Sequence, residues 1–187
     1  EGDAPNKPKR FTMTAYTGGT MNLPNFPHPV VVDLAGTKAP RQDIAILRDH
    51  LPTSIVGHTD GIEISSQRIK LSGFMSGTGD AAKETLSLAA NGFPWQASIG
   101  GSVEKTEYVE RGETVKVNGR NFTGPVHVVR AMTLREVSFV PIGADGATSA
   151  SVAAHYQGEK PMFEKWLTAK GFDPAASWPH ERGAHGW

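Results

Sequence analysis

Ser98 is the residue of this chain whose surroundings best suit a nucleophile. It stands in Asn91-Gly-Phe-Pro-Trp-Gln-Ala-Ser-Ile-Gly-Gly101, between an apolar approach (Phe93, Pro94, Trp95, Ala97) and an Ile-Gly-Gly exit. Glycines just after a serine impose little steric limit on the backbone and leave room for a substrate chain. The same stretch also reads as a strand edge that ends in a glycine turn. Its partners must therefore carry the case for chemistry.

A serine nucleophile needs a base to take its proton and a further group to orient that base. Three histidines are candidates: His50, His58 and His127. His50 follows Asp49 at the end of an apolar run, where a side chain is held firmly yet still reaches a cleft. His58 lies in Gly-His-Thr-Asp-Gly, a pattern that suits an exposed turn. His127 sits in a valine-rich segment, where a hydrogen-bonded structural histidine is a common outcome. Position favours His50.

Glu136 is the most anomalous residue of the chain. It lies in Leu134-Arg-Glu-Val-Ser-Phe-Val140, a strand-like segment where glutamate is disfavoured. Alternation puts it on one face with Leu134 and Ser138, so it is at least partly buried and needs a partner. Arg135 or Arg130 would make that partner structural. An imidazole N–H would make Glu136 the third member of a Ser–His–Glu triad.

Other chemistries find less support. The sequence has no cysteine and no His-Glu-x-x-His, and His180 and His185 are too isolated for a closed metal site. No metal or cofactor is expected. Residues 73–79 are glycine-rich but lack the Lys-Ser/Thr of a phosphate-binding loop. No Gly-x-Ser-x-Gly elbow surrounds Ser98, which disfavours an unrelated esterase or amidase.

The elements that must position these residues follow from the patterning. At 187 residues the chain is long enough for one domain with a sizeable core. Lys+Arg and Asp+Glu number 19 each, so no net field favours nucleic acid or an anionic membrane. The absence of cysteine suits a reducing compartment, and no apolar run approaches a membrane span. The first residue is Glu1, which suggests a trimmed, matured or fragment start. Glycine and proline, 21 and 13 residues, imply many turns, and a soluble intracellular domain rich in strands is expected. Strands are predicted over 11–16, 30–34, 44–50, 54–57, 61–65, 68–71, 103–109, 113–117, 120–123, 125–129 and 134–140. Turns are expected at 58–61 and 143–146, and a hairpin turn at Asn118-Gly119. A helix over 81–90, capped by Asp80 and stopped by Asn91-Gly92, leads directly into the Ser98 stretch. Residues 1–10 read as a flexible lead-in. A short amphipathic helix over 161–170 falls in a C-terminal extension, 155–187.

Taken in order, Ile-Leu-Arg-Asp-His50, Ile-Val-Gly57, Ala-Ser98-Ile-Gly100 and Leu-Arg-Glu136-Val-Ser-Phe-Val resemble the phage prohead (capsid maturation) serine proteases. That family is similar in fold to the herpesvirus assembly proteases. The likeness runs over about 11–154. Ser98 lies 48 residues after His50, and Glu136 lies 38 after Ser98, with the Asn118-Gly119 hairpin as the insertion. Leu51 stands where the family has an Asp after the histidine, and the paired arginines of the herpesvirus enzymes are missing.

The resemblance implies an α+β, mostly β fold, a herpesvirus-protease-like β-barrel with a few surrounding helices. It implies a serine endopeptidase with Ser98 as nucleophile, His50 as general base and Glu136 as its orienter. Backbone N–H groups of Ala144 and Asp145 would form the oxyanion hole. Substrates would be scaffolding segments, capsid-protein extensions and the chain itself, inside an assembling procapsid in the bacterial cytoplasm. No nucleic-acid or membrane partner is expected, and a homo-oligomer is compatible with the reading. The competing expectation is a catalytically silent assembly or scaffolding module of the same fold. Leu51 after His50 and the 161–170 helix favour that alternative.

Overall fold

The computed structural model describes residues 8–24 and 26–153. These belong to the first of the two units into which the chain divides, Glu1–Ala154 and His155–Trp187. The helix expected over 161–170, and His180 and His185, lie outside the described residues. So does most of the expected lead-in; at its end, the Lys9 carbonyl accepts the Met75 N–H and Arg10 already begins a strand.

The fold is mostly β, as expected, and is built around its longest strand. β1 (Arg10–Tyr16), β2 (Thr20–Met21), β3 (Val30–Val32), β4 (Thr37–Lys38), β5 (Ala45–Arg48), β6 (Leu51–Ile64) and β7 (Ile69–Phe74) precede the one described α-helix, α1 (Asp80–Ala90). β8 (Gln96–Val109), β9 (Thr114–Val117), β10 (Arg120–Thr123), β11 (Val126–Val140) and β12 (Ser149–Val152) follow. β11 is a valine-rich run with β-branched residues along its length, the composition that fits a pleated, buried surface. It pairs with β8 antiparallel along one edge. On its other edge it pairs in parallel with β3, β4 and β5 in succession. A 3-10 turn, Leu34–Gly36, separates β3 from β4, and the Asp33 carboxylate caps it by accepting from the Ala35 N–H.

From β5 the ten-stranded sheet continues antiparallel through β6, β7 and β1 to β12. The principal core contains Phe11, Tyr16, Ile46, Ile69, Leu134 and Phe139, all essentially buried. Phe139 takes edge contacts from Phe11 and Trp95, with centroids 5.9 and 6.0 Å away, which is favourable ring geometry. A second cluster of Val31, Val109, Val117, Val126 and Val128 lies under the β9–β10 hairpin. That hairpin turns at Asn118-Gly119 with both φ angles positive, as a two-residue turn requires. The Asn118 side chain fixes it to the main sheet, accepting from the Leu34 N–H and donating to the Gly18 and Val32 carbonyls.

Several local expectations change. Residues 58–61 are not a turn but the middle of β6. Thr59 is buried there, its hydroxyl accepting from the Ile44 N–H and donating to the Gln42 carbonyl, and a register shift before Gly61 absorbs the irregularity. Residues 125–129 and 134–140 are one strand, β11, because neighbours on both edges satisfy its backbone throughout. The Ile99-Gly-Gly101 segment is not a terminating turn, since β8 runs through it with Gly100 and Gly101 in the ladder.

The helix over 81–90 is present, but Asp80 is not its cap. Gly79 occupies that position without a side-chain bond, and Asp80 is a first-turn residue 3.8 Å from Lys83. At the other end the Asn91, Gly92 and Phe93 N–H groups reach back to helix carbonyls, with Gly92 at φ 80°. This glycine-terminated stop delivers the chain into β8.

Candidate functional site

The site forms where three strands meet side by side. Register places Ser98 of β8 directly opposite Ser138 of β11, and Gly100 opposite Glu136. Opposed residues share a face, and so do residues two apart on one strand. Ser98, Ser138 and Glu136 therefore project to one side of the sheet.

His50 arrives from the other edge of β11. β5 and β6 are joined by a two-residue turn, Asp49-His50, between paired Arg48 and Leu51. Both turn residues have positive φ, 54° and 59°. Asp and His are among the few non-glycine types enriched in that region. The turn is tied to β11 through the Asp49 N–H, donated to the Phe139 carbonyl at 3.1 Å, and the His50 N–H, donated to Ser138 Oγ at 3.0 Å. Arg48 braces it from behind. Its guanidinium lies 4.4 Å above the Trp95 ring and bonds Asp49, Glu84 and Thr85, so the turn is linked to α1.

The imidazole then bridges two strands. His50 Nε2 lies 2.9 Å from Ser98 Oγ, and His50 Nδ1 lies 2.7 Å from Glu136 Oε1. The imidazole is 42% exposed and the glutamate side chain 16%, so solvent reaches the ring more than the carboxylate. The other glutamate oxygen, Oε2, accepts from Ser138 Oγ at 2.8 Å. The hydrogen bond to Glu136 raises the His50 pKa above its ordinary 6.5, with partial burial opposing it.

The glycine after Ser98 serves a purpose other than the one expected from its position. A Cβ at Gly100 would lie 1.8 Å from Glu136 Oε1. Its missing side chain is the space in which the carboxylate reaches the imidazole.

The alternative assignments separate cleanly. Arg130 pairs with Asp33 and Glu107, and Arg135 bonds Ser102, so neither arginine pairs with Glu136. His58 Nδ1 bonds Ser76 Oγ at 2.7 Å. His127 lies in a ring cluster with Phe26, His28 and Tyr108.

Ala144 and Asp145 belong to the loop after β11. Gln96, which shares the Ser98 face of β8, holds that loop at two points: Oε1 accepts the Gly143 N–H at 2.6 Å and Nε2 donates to the Gly146 carbonyl at 3.0 Å. The Asp145 carboxylate is buried and organises the loop, accepting from the Thr17 N–H and hydroxyl and from the Ala147 N–H. Among the described residues, no acceptor takes the Ala144 or Asp145 N–H. Nor does any described group of three or more His, Cys, Asp or Glu side chains form a metal cluster. No described helix is long and apolar enough to cross a membrane.

Ser138, Gln96 and the steric role of Gly100 were not singled out by the sequence. Alternation puts Ser138 on the Glu136 face, but no residue pattern marks it as a partner of His50.

The sequence matches no known family pattern and no curated protein. In structure the chain is similar to the protease of Kaposi's sarcoma-associated herpesvirus. Against that protease bound to a hexapeptide phosphonate inhibitor, the TM-score is 0.46 and the identity 15%, over 86% of this chain and 68% of the other. Against the same protease bound to an allosteric inhibitor, the values are 0.45 and 16%, over 87% and 80%. A complex of it with a dimer disruptor gives 0.45 and 14%, over 87% and 80%.

Proposed function

We propose that the chain is a serine endopeptidase of the phage procapsid-maturation type. The observation that carries this reading is the continuous run from Ser98 Oγ through the two His50 ring nitrogens to Glu136 Oε1, with steps of 2.9 and 2.7 Å. Both distances fall within reach for proton transfer. Ser98 Oγ attacks the scissile carbonyl as its proton passes to His50 Nε2. Glu136 holds the ring and stabilises the imidazolium that forms. His50 then protonates the leaving amine, and water repeats the sequence on the acyl-enzyme. The N–H groups of Ala144 and Asp145, without an acceptor among the described residues, are the proposed donors to the oxyanion, where fixed dipoles are most effective.

The resemblance in the ordered motifs around His50, Ser98 and Glu136 supplies the substrate class. Scaffolding segments, capsid-protein extensions and the chain itself are the proposed targets, within an assembling procapsid in a bacterial cytoplasm. Assembly with copies of itself is part of the same proposal.

Co-expression with the capsid protein, comparing wild type with Ser98→Ala by intact mass, tests this reading. Shortened capsid protein, or a self-cleaved chain, in the wild type alone is the expected result. Full-length products in both would sink the protease and favour the silent assembly module.

A further inference from the structure

Ser138 is fully buried, yet among the described side chains it alone hydrogen-bonds both the Glu136 carboxylate and the His50 backbone. Its Oγ lies 3.0 Å from the His50 N and 2.8 Å from Glu136 Oε2. We infer that Ser138 is a positioning residue for the proposed reaction, fixing the Glu136 carboxylate that in turn holds the tautomer of His50.

The polarity follows from elementary donor rules. A backbone N–H can only donate, so Ser138 Oγ accepts from His50. The single hydroxyl proton of Ser138 is then free to point at Glu136 Oε2, which accepts it as one oxygen of an ionised carboxylate. A carboxylate can only accept, so the Oε1 contact puts the ring proton on Nδ1, and the Ser138 bond to Oε2 keeps Oε1 in place to receive it. Nε2 is then the lone-pair nitrogen facing Ser98 Oγ, the form a general base requires. The relay thus starts and ends on His50. Its backbone N–H fixes Ser138, Ser138 fixes Glu136, and Glu136 fixes the ring.

Geometry supports the same assignment. His50 has φ 59° and belongs to a two-residue turn. Its N–H bonds a side chain of the neighbouring strand 88 residues away. Without that hydroxyl, the turn loses one of its two backbone ties to β11 and Glu136 loses the donor that stops its carboxylate from rotating.

The inference rests on the protease reading for its consequence, but not for its first measurement. The isosteric pair Ser138→Thr and Ser138→Val differs only by the hydroxyl, so packing changes are shared. Long-range 15N NMR of the histidine rings, in a Ser98→Ala background at pH 9, reads the tautomer without any turnover. The expected result is a His50 ring with its proton on Nδ1 in the parent and in Ser138→Thr, and a mixture in Ser138→Val. The same tautomer in Ser138→Thr and Ser138→Val would overturn the inference.

With Ser98 present, Ser138→Val should lower kcat by about 100-fold, the order expected when a reacting group is misplaced by about 1 Å. KM should stay within about twofold, and Ser138→Thr should recover most of the rate. Equal kcat in the two variants would likewise overturn it. Absence of proteolysis in every variant, with the tautomer difference intact, would reject the protease reading and leave the positioning role standing.

Discussion

Gly100 and Glu136 face each other across the β8–β11 ladder, and a Cβ on Gly100 would overlap Glu136 Oε1 at 1.8 Å. Glycine in a strand interior is otherwise unfavourable, so its presence here reflects the space that the carboxylate needs. Gly100→Ala should leave the sheet intact and push the carboxylate away from His50 Nδ1. A fall in kcat/KM of about 100-fold, with a melting temperature within a few degrees of the parent, is the expected outcome. Unchanged activity would show that Glu136 can orient His50 from another position.

The pH dependence has a definite sign. In the proposed mechanism His50 must be neutral to act as a base, and its pKa is raised above 6.5 by the Glu136 hydrogen bond. The acidic limb of kcat/KM should therefore lie above pH 6.5. Glu136→Gln removes the charge that favours the imidazolium, so the limb should move down in pH while the rate falls. A limb that stays in place would remove Glu136 as the cause.

Stability carries the same signature. Because the folded-state pKa of His50 is raised, the protonated pair stabilises the fold fully below pH 6.5. That contribution is lost as pH rises through the folded value. In a Ser98→Ala background, urea unfolding should show a small decline in stability over that window. Adding Glu136→Gln should flatten it.

Arg48 is a partly buried cation held against Trp95 at 4.4 Å and against Asp49 at 3.1 Å. Arg48→Met keeps most of the apolar stem but removes both contacts. A loss of about 1 kcal/mol is expected, from the cation–π term and a partly screened ion pair. Urea unfolding measures it, and no change would mean that the turn is held by β11 alone.

Asp145 tests the loop proposed to bind the oxyanion. Its buried carboxylate receives bonds from the Thr17 N–H, the Thr17 hydroxyl and the Ala147 N–H. Asp145→Ala should cost about 3 kcal/mol, since donors are left without an acceptor. At a temperature where the variant is folded, kcat should fall more than KM rises. A normal kcat would place the oxyanion donors elsewhere.

The local part of the fold was legible because its signals are local. Asn118-Gly119 specifies its hairpin through two positive φ angles, and Asn91-Gly92 specifies the helix stop. The strand character of 11–16 and 134–140 follows from residue type and alternation. The anomaly of Glu136 was legible for the same reason, since a carboxylate within a strand pattern needs a partner whatever the fold. Ser98, His50 and Glu136 were all singled out on residue type and position.

Only the tertiary structure decided which of these residues meet. The β8–β11 register brings Ser98 opposite Ser138 and Gly100 opposite Glu136, and the parallel β5–β11 pairing brings the Asp49-His50 turn onto Ser138. Register is fixed by long-range pairing and core packing, for which no short window of sequence carries a sign. The glycine read as space for a substrate is space for a glutamate. The serine read as a strand neighbour is the group between a backbone N–H and a carboxylate. Both differences have one physical reason: propensity acts between adjacent residues, whereas steric fit and hydrogen-bond direction are set by partners dozens of residues away.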